Sequence, residues 1–297
     1  MKNVVAAFAA LLAFAFAPFA FAASLEDALQ AAAAGKSATV GVAVYGIEDG
    51  SLAQINGNGH FPMQSVFKFH IALAVLHKVD KGELRLEQEL LITKADLLED
   101  TWSPIRKKHP KGNVKLPLSE VLRYTVAESD NNGCDILLRL IGGPDVVEAY
   151  IRGLGIEDVA IRHNEEEMHT AWDIQFGNWT TPAAAVKLLA AFDKKEPLSE
   201  ASSAFLWKVM TETSTGSRRL KCLLPPDTVV AHKTGSSDTN ALGVTAAVND
   251  IGIIILPDGR RIAIAVFVSD SRESTAVNEG IIAEMGKLVY DHFTKAR

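Results

Sequence analysis

The hydrophobic pattern divides the chain into three parts. Short β-branched stretches typical of strands lie near both ends, and apolar residues at helical spacing fill the long middle part. The predicted strands cover residues 39–45, 229–233, 241–248, 251–256 and 262–268. The predicted helices cover residues 67–79, 118–126, 134–141, 144–153, 182–192 and 278–294. Tight turns are expected at 48–50 and 257–259, where Gly follows Asp.

The order of these elements predicts an α/β fold of two lobes. The amphipathic C-terminal helix can pack on an antiparallel sheet that the first and last strands form together. One lobe, a sheet flanked by helices, is therefore expected to be built from both chain ends, about 24–62 and 212–297. A second, all-α lobe is expected from about 63–211. The cleft between two such lobes is a natural place for chemistry.

The first 23 residues have the pattern of a secretory signal peptide. Lys2 supplies a positive charge, residues 4–17 are almost wholly apolar, and small residues surround an expected cleavage point near Ala22 or Ala23. A transmembrane anchor is the alternative, although the apolar stretch barely reaches spanning length. We therefore expect residues 24–297 to form one domain that is secreted across the inner membrane to the periplasm, with no membrane attachment after cleavage.

Composition narrows the range of partners. Hydrophobic residues make up 48% of the chain and charged residues 22%, as in an ordinary globular protein. The net charge is −6, with acidic and basic residues mixed along the chain, so no nucleic-acid partner is indicated and a small-molecule partner is expected. Two cysteines are present. A buried free thiol at Cys134 is the main expectation, and a disulfide between Cys134 and Cys222 is the alternative.

Ser65 and Lys68 form a candidate pair of nucleophile and base. At three residues apart near the start of a predicted helix, their side chains lie on one face, one turn from each other. The amine can lower the cost of deprotonating the hydroxyl, and the positive end of the helix dipole favours the alkoxide. Alone this spacing is weak evidence, because Ser-x-x-Lys occurs by chance about once in a chain of this length.

Two further polar motifs follow in the chain. Ser129-Asp130-Asn131 comes after a helical segment, where it offers a hydroxyl for proton relay and an amide for anchoring substrate, or else a helix N-cap. Lys233-Thr234-Gly235-Ser236 ends a predicted strand. There the glycine allows substrate to approach the backbone, and the lysine supplies a fixed charge for a carboxylate.

In this order and in these contexts, the three motifs resemble those of class A β-lactamases and penicillin-binding proteins, over a stretch from about Ser24 to the C-terminus. The resemblance implies the serine β-lactamase fold and an acyl-enzyme mechanism that uses neither a cofactor nor a metal ion. It makes Ser65 the expected nucleophile, Lys68 its basic neighbour and Ser129 the proton shuttle to the departing ring nitrogen.

The same resemblance implies the substrate contacts. Asn131 is expected to bind the side-chain amide of the substrate, while Lys233 and Thr234, beside Gly235, hold its carboxylate. The backbone N–H groups of Ser65 and Ser236 are expected to form the oxyanion hole.

A carboxylate-rich loop, Glu165-Glu166-Glu167-Met168-His169, stands where the family has Glu-x-x-Leu-Asn. Counting back from Met168 selects Glu165 as the base that activates the deacylating water, since residues three and four apart share one side of a helical turn. The next two glutamates are then expected to face solvent. His169 replaces the family's Asn, which leaves open how the water is positioned. A solvated charged turn is the alternative, and a zinc site on the flanking histidines is not expected.

Further segments resemble an extended-spectrum subgroup of the family, in which the Ω-shaped loop is rearranged and cephalosporins are good substrates. They are residues 102–104, 128–131, 175–179 and 249–253. Arg219 resembles the arginine that in this subgroup reaches the region of the substrate carboxylate, and Arg218 is the competing candidate. Trp102 is expected either to wall the cleft against the substrate or to anchor its own loop.

These observations predict a monomeric enzyme that hydrolyses the β-lactam ring of penicillins and cephalosporins through an acyl-enzyme on Ser65, conferring antibiotic resistance. Two alternatives share the three motifs. A penicillin-binding DD-peptidase lacks an efficient deacylating base, so the glutamate loop argues against it. A non-catalytic β-lactam sensor would be expected to carry a transmembrane segment after the signal, and the sequence shows none there.

Overall fold

A computed structural model describes residues 24–295 of the chain. The predicted signal peptide, residues 1–23, lies outside the described residues. Within the described range, no helix combines the length and the apolar character that crossing a membrane requires.

Helices and strands alternate along the described chain. The α-helices are α1 (Leu25–Ala33), α2 (Phe67–Asp80), α3 (Pro104–Lys108), α4 (Leu118–Ala127), α5 (Asn131–Ile141), α6 (Pro144–Gly153), α7 (Glu165–Met168), α8 (Pro182–Asp193), α9 (Glu200–Thr211) and α10 (Thr275–Lys295). The strands are β1 (Thr39–Gly46), β2 (Leu52–Ile55), β3 (Phe61–Pro62), β4 (Glu89–Ile92), β5 (Val114–Pro117), β6 (Val159–Ala160), β7 (Trp179–Thr180), β8 (Val230–Ser236), β9 (Thr245–Ile255) and β10 (Arg261–Ser271). Two 3₁₀ turns lie at Gln64–Val66 and Trp172–Gly177.

Five strands form the central antiparallel sheet, in the order β2-β1-β10-β9-β8. The first two strands come from the N-terminal part of the chain and the other three from the C-terminal part, so both chain ends build the sheet, as predicted. Nearly every residue of β9 and β10 is buried. The sheet is therefore covered on both faces.

Two hydrophobic cores lie on the two faces of the sheet. On one face α1 and α10 pack against the strands, with Leu29, Val266 and Met285 fully buried. On the other face α8 packs against β1 and β10, and the helical part of the chain continues from there. At its centre, residues 67–76 of α2 are all buried, because α4, α5, α6 and α9 pack around this helix. The predicted antiparallel sheet flanked by helices is confirmed. The middle part of the chain is not all-α, however, because β4 pairs with β5 there and β6 and β7 join β3 in a second small sheet.

The predicted break between two strands at residues 249–250 is wrong. β9 is one continuous strand, and Asn249 and Asp250 lie buried inside it. The Asn249 amide donates to the carbonyl oxygens of residues 62 and 63, and the Asp250 carboxylate pairs with His232. Buried polar groups that have partners do not interrupt a strand. The strand also begins at residue 245, since residues 241–244 belong to the preceding turn.

Four of the described helices, α1, α3, α7 and α9, are not among those predicted from the hydrophobic pattern. α1 is nevertheless marked by a capping box, in which Ser24 and Asp27 each accept a hydrogen bond from the other's backbone N–H group. Cys134 is a buried free thiol, as expected, and Cys222 is an exposed one. The disulfide alternative therefore does not form.

Candidate active site

A cleft of about 540 Å³ opens where the start of α2, the loop around α7 and the end of β8 meet. Its walls include six of the predicted site residues: Ser65, Trp102, Asn131, Glu165, His169 and Ser236. The other six are buried next to these walls: Lys68, Ser129, Arg219, Lys233, Thr234 and Gly235. The fold thus gathers segments that lie far apart in the sequence.

Ser65 and Lys68 lie at the entry to a helix, as their spacing predicts. Ser65 sits in the 3₁₀ turn before α2, and Lys68 Nζ lies 2.9 Å from Ser65 Oγ. The fully buried Lys68 amine also contacts Glu165 Oε1 at 2.8 Å, the Ser129 carbonyl oxygen at 2.9 Å and Asn131 Oδ1. An ammonium group has three protons for these four oxygen neighbours. Ser65 is the neighbour with a proton of its own, so it is the one suited to donate.

The turn that carries Ser65 is held from two directions. Gln64 has a positive φ of 47°, a conformation that is costly for such a side chain. Its amide donates to Gln175 Oε1 at 2.6 Å. On the other side, β8 passes so close that a Cβ on Gly235 would lie 2.5 Å from the Met63 carbonyl oxygen. Glycine is therefore required at position 235 for sheet and nucleophile to meet.

Ser129 connects the two lysines of the site. Its carbonyl oxygen accepts from Lys68, and its Oγ accepts from Lys233 Nζ at 2.9 Å. Ser129 itself has a positive φ of 59°, a strained conformation for serine. Burial and the positive charge of Lys68 hold the pKa of Lys233 well below its usual range, although the Asp250 carboxylate acts in the opposite direction.

Asp130 does not line the cleft. It is the N-cap of α5, where its carboxylate accepts from the Gly133 N–H, and it also accepts from Ser103 Oγ and the Ile105 N–H. Burial raises the pKa of Asp130. The N-cap alternative is thus correct for this residue of the motif, and the same carboxylate fixes the loop that carries Trp102.

The chain turns Glu165 inward and the two following glutamates outward. Glu165 and Met168 are buried while residues 166 and 167 are exposed, as the three-residue spacing predicts. Glu165 Oε1 lies 2.8 Å from Lys68 Nζ and 3.4 Å from Ser65 Oγ. A buried carboxylate therefore stands beside the candidate nucleophile.

Asp135 is a site residue that the sequence motifs do not reveal. Its carboxylate accepts from the backbone N–H groups of Glu165 at 2.8 Å and Glu166 at 3.0 Å, and so holds the start of α7. Burial raises the pKa of Asp135 to about 6, although these two hydrogen bonds act in the opposite direction. One feature of the sequence could have pointed to Asp135: it is a carboxylate within an apolar helical run, four residues after Asn131 and so on the same face of α5.

His169 contacts the backbone of Glu165 rather than its carboxylate. Ring atom Nδ1 lies 2.6 Å from the Glu165 carbonyl oxygen. Because a carbonyl oxygen can only accept, Nδ1 carries a proton, and in the neutral ring Nε2 is then an acceptor. The ring lines the cleft, so Nε2 can accept a hydrogen bond from a molecule held there.

The structure separates the two candidate arginines. The Arg218 side chain is 70% exposed, whereas Arg219 is buried behind the end of β8. Arg219 donates to the carbonyl oxygens of Gly235 at 3.0 Å and Asn249 at 2.9 Å, and to Ser236 Oγ at 2.7 Å. Arg219 therefore fastens the end of β8 and places its positive charge beside the cleft.

Trp102 stands at the rim of the cleft and is 51% exposed. Its indole Nε1 donates to the Glu128 carbonyl oxygen at 2.9 Å, and the Lys107 ammonium lies 3.7 Å from the ring centroid. The ring is thus both anchored to its loop and presented to the cleft.

Between residues 24 and 295, no group of three or more His, Cys, Asp or Glu side chains is arranged to hold a metal ion. The histidine that precedes the glutamates, His163, lies 3.5 Å from the exposed Glu167 carboxylate.

Comparison with known sequences shows which proteins share these features. A family model described as the β-lactamase enzyme family matches residues 24–293. The extended-spectrum β-lactamase PER-1 of Pseudomonas aeruginosa is 48% identical over 266 residues, which cover 90% of this chain and 86% of that protein. β-Lactamase VEB-1 of the same organism is also 48% identical, over 91% of this chain and 89% of its own.

Solved structures agree with the sequence relatives. The crystal structure of TLA-3 extended-spectrum β-lactamase matches with a TM-score of 0.90 at 54% identity, covering 91% of this chain and 98% of that chain. A class A β-lactamase from Bacteroides cellulosilyticus matches with a TM-score of 0.88 at 43% identity, covering 91% and 97%. The resemblance drawn from the three motifs is thereby confirmed. The chain belongs to the β-lactamase enzyme family, within class A.

Proposed function

We propose that this protein opens the β-lactam ring of penicillins and cephalosporins through an acyl-enzyme on Ser65, then hydrolyses the ester and so confers antibiotic resistance. One observation carries the proposal. The Ser65 hydroxyl lies in the cleft within reach of both Lys68, at 2.9 Å, and Glu165, at 3.4 Å. A serine between an amine and a buried carboxylate is equipped both to form an ester and to hydrolyse it.

In the first half of the reaction, Ser65 Oγ attacks the lactam carbonyl carbon. Its proton passes to the pair formed by Lys68 and Glu165, whose side chains contact each other at 2.8 Å. Negative charge then develops on the carbonyl oxygen. In this proposal the backbone N–H groups of Ser65 and Ser236 stabilise it as donors that need no reorganisation.

Ring opening and substrate binding depend on the groups beside the cleft. The C–N bond of the ring breaks, and the departing nitrogen takes a proton from Ser129, which regains one from the pair formed by Lys68 and Glu165 that accepted the Ser65 proton. Lys233, which donates to Ser129 Oγ, lowers the cost of the negative charge left on that oxygen. The charges of Lys233 and Arg219, with the Thr234 hydroxyl, attract the substrate carboxylate, while Asn131 binds the substrate's side-chain amide.

In the second half, Glu165 takes a proton from a water molecule, whose oxygen attacks the ester carbonyl carbon. The bond to Ser65 Oγ then breaks, and the proton passes from Glu165 to that oxygen, which restores both groups. Asp135 holds the backbone of Glu165 in place for this step. His169, tied to the Glu165 carbonyl oxygen, offers its second ring nitrogen to the same water. This is the role that we propose for the histidine at the family's Asn position.

The place of Glu165 also favours this proposal over its two alternatives. A DD-peptidase or a sensor that is acylated without turnover needs no buried carboxylate beside its nucleophile. Here Glu165 is 5% exposed and lies against Ser65.

Turnover of a chromogenic cephalosporin by the purified chain tests the proposal. Sustained hydrolysis that is lost in Ser65→Ala is the expected result, because the substitution removes the nucleophile and creates almost no cavity. A stoichiometric burst without further turnover would instead indicate a peptidase or a sensor.

We also propose that the mature chain is a periplasmic monomer that acts on a broad range of cephalosporins. Support comes from the pattern of residues 1–23 and from PER-1 and TLA-3, which are named extended-spectrum β-lactamases. Cell fractionation with N-terminal sequencing tests the periplasmic location. Light scattering tests the monomeric state, and kcat/KM for several cephalosporins tests the range of substrates. A chain that keeps its first residues, or a stable dimer, would contradict the corresponding part.

A further inference from the structure

Behind β8 lies a buried polar pair that the mechanism above does not use. His232 Nδ1 lies 2.9 Å from Asp250 Oδ1 and 3.1 Å from Oδ2, and the two side chains are 1% and 0% exposed. The Asp250 carboxylate also accepts from the Leu220 backbone N–H at 3.3 Å. Burying a carboxylate is costly even when it is paired. The strands do not need this pair to associate, because β8 and β9 already pair along the whole of β8.

The strand register places the pair directly behind the substrate-binding motif. In the β8–β9 ladder Thr234 is opposite Asp250, and Lys233 is opposite Ile251. Side chains alternate between the two faces of a sheet, so Asp250 and His232 lie on the α10 face and Lys233 lies on the face toward the cleft. Asp250 and Lys233 thus lie on neighbouring strands, one position apart in the ladder and on opposite faces, and both side chains are fully buried, so water screens their attraction little.

Lys233 needs such a partner because its surroundings disfavour its charge. It is fully buried, and Lys68 of α2 and Arg219 behind β8 add two positive charges nearby. Two carboxylates act in its favour, Asp250 of β9 first and Glu165 of α7 second. Glu165 is already in contact with Lys68 at 2.8 Å. Asp250 is therefore the anion that remains for Lys233.

We propose that Asp250 is a positioning residue for substrate binding: held by His232 and the Leu220 N–H, its carboxylate keeps Lys233 positively charged from behind the sheet and so ready for the substrate's carboxylate. The inference rests on the function proposed above. In this proposal His232 holds the Asp250 carboxylate, because its Nδ1 contacts that carboxylate while its buried Nε2 has no hydrogen-bond partner among residues 24–295.

The test compares Asp250→Asn with the parent and with a matched control, Asp193→Asn. The Asp193 side chain is also buried, at 3% exposed, and is paired at 2.9 Å with Arg261, which begins β10 and lies five positions along the β9–β10 ladder from Asp250. Each protein is assayed with a cephalosporin and with the methyl ester of the same compound, across the pH range.

In Asp250→Asn, kcat/KM for the free acid should fall about tenfold, mainly through KM, while the ester, which has no carboxylate, should be hardly affected. The pH profile gives a second readout. Without the Asp250 charge the pKa of Lys233 falls further, so its proton is lost at lower pH. The basic limb of kcat/KM for the free acid should therefore move down by about one pH unit. Asp193→Asn should change neither quantity.

Equal losses for acid and ester, or an unmoved basic limb in a folded Asp250→Asn enzyme, would overturn the inference. If Asp250→Asn does not fold, as judged by circular dichroism, Asp250→Ser removes the same charge and leaves a small polar group. Lys233→Arg is a further check, because a guanidinium keeps its proton and should abolish the basic limb. A limb that survives Lys233→Arg does not belong to Lys233, and the inference then fails. Absence of hydrolysis by the parent would instead overturn the proposed function.

Discussion

Glu165 differs from the two glutamates that follow it in burial and in contacts, although the three side chains are chemically identical. Glu165→Ala should therefore slow ester hydrolysis by about a thousandfold, because the water loses its base. Acylation should persist, since Lys68 and Ser129 remain. Intact-protein mass spectrometry after exposure to a good substrate should find the trapped adduct.

Glu166→Ala and Glu167→Ala are the matched controls for Glu165→Ala, because both glutamates are exposed and next to it in the chain. Both variants should turn over at close to the parent rate. An adduct trapped by either control in place of Glu165→Ala would show that the base is a different glutamate.

Asp135 lowers the stability of the folded protein by an amount that depends on pH. Folding raises its pKa from 3.8 to about 6 through burial. A carboxyl group whose pKa is raised on folding contributes stability that is fully present below its unfolded pKa and is lost as the pH rises through its folded pKa. The parent should therefore lose stability relative to Asp135→Asn as the pH rises from about 4 to about 7, by on the order of 2 kcal/mol.

Thermal unfolding of both proteins at several pH values measures this difference for Asp135. Asn cannot accept both backbone hydrogen bonds, which adds an offset that is the same at every pH. The prediction therefore concerns the trend in the Tm difference, and a difference that stays constant with pH would contradict it. The activity of Asp135→Asn should fall at every pH, because α7 loses part of its anchor.

At the scale of elements, local patterns predicted six of the ten described α-helices and the four longest strands, β1, β8, β9 and β10, but not the short strands β3–β7. α6 has the predicted ends, and α2, α4 and α8 end within one residue of them. β9 was predicted as two strands because Asn249 and Asp250 look like a turn. Their partners, in the segment before Ser65 and in β8, are close in space and far apart in sequence. No local pattern carries that information.

The same limit applies to the active site. The motifs reveal residues whose side chains do chemistry, and the three-residue spacing reveals which glutamate faces inward. Asp135, the pair formed by Gln64 and Gln175, and the pair formed by His232 and Asp250 are set by how one element packs on another. They could not be predicted before the register of β8 on β9, the packing of α5 on α7 and the approach of the two 3₁₀ turns were known.

The close contact between β8 and the turn that carries Ser65 can be tested by adding a side-chain atom at Gly235. Gly235→Ala places a Cβ 2.5 Å from the Met63 carbonyl oxygen, so one of the two elements must move. We expect a loss of about 1–3 kcal/mol in the free energy of unfolding. Activity should fall by about a hundredfold, because the nucleophile and the Ser236 N–H no longer face the same point.

Gly280→Ala in α10 is the control for Gly235→Ala, since a Cβ there meets nothing within 4 Å. It should be neutral or slightly stabilising, because alanine favours a helix over glycine. Measurements of kcat/KM and Tm on both variants test whether the close approach at Gly235 is needed for activity and stability. Full activity in Gly235→Ala would mean that the close approach is not needed for catalysis.

At the scale of the whole molecule, the site exists only where the sheet and the helical part of the chain meet. Ser65 lies in the 3₁₀ turn directly before α2, in the helical part of the chain, while Lys233 lies in β8 of the central sheet. Ser129, which precedes α5, contacts both lysines across this boundary. Catalysis is therefore expected to be lost in the same transition that separates the two parts.

The two free cysteines can measure that transition. Cys222 is exposed, whereas Cys134 is fully buried in α5 and burial raises the pKa of its thiol well above the ordinary value. Because the thiolate is the reactive form, Cys222 should react with a disulfide reagent at once, and Cys134 only when α5 opens.

In a Cys222→Ser variant, the labelling rate of Cys134 in increasing urea gives the free energy of opening around α5 and its dependence on urea. Since α5 carries Asn131 and Asp135 and follows Ser129, its opening dismantles the site. We expect both quantities to equal those of global unfolding, measured by circular dichroism and by loss of activity. Labelling of Cys134 at a markedly lower free energy would contradict this expectation, because the helical part would then open while the sheet remains folded, and activity would be lost with the first event rather than the second.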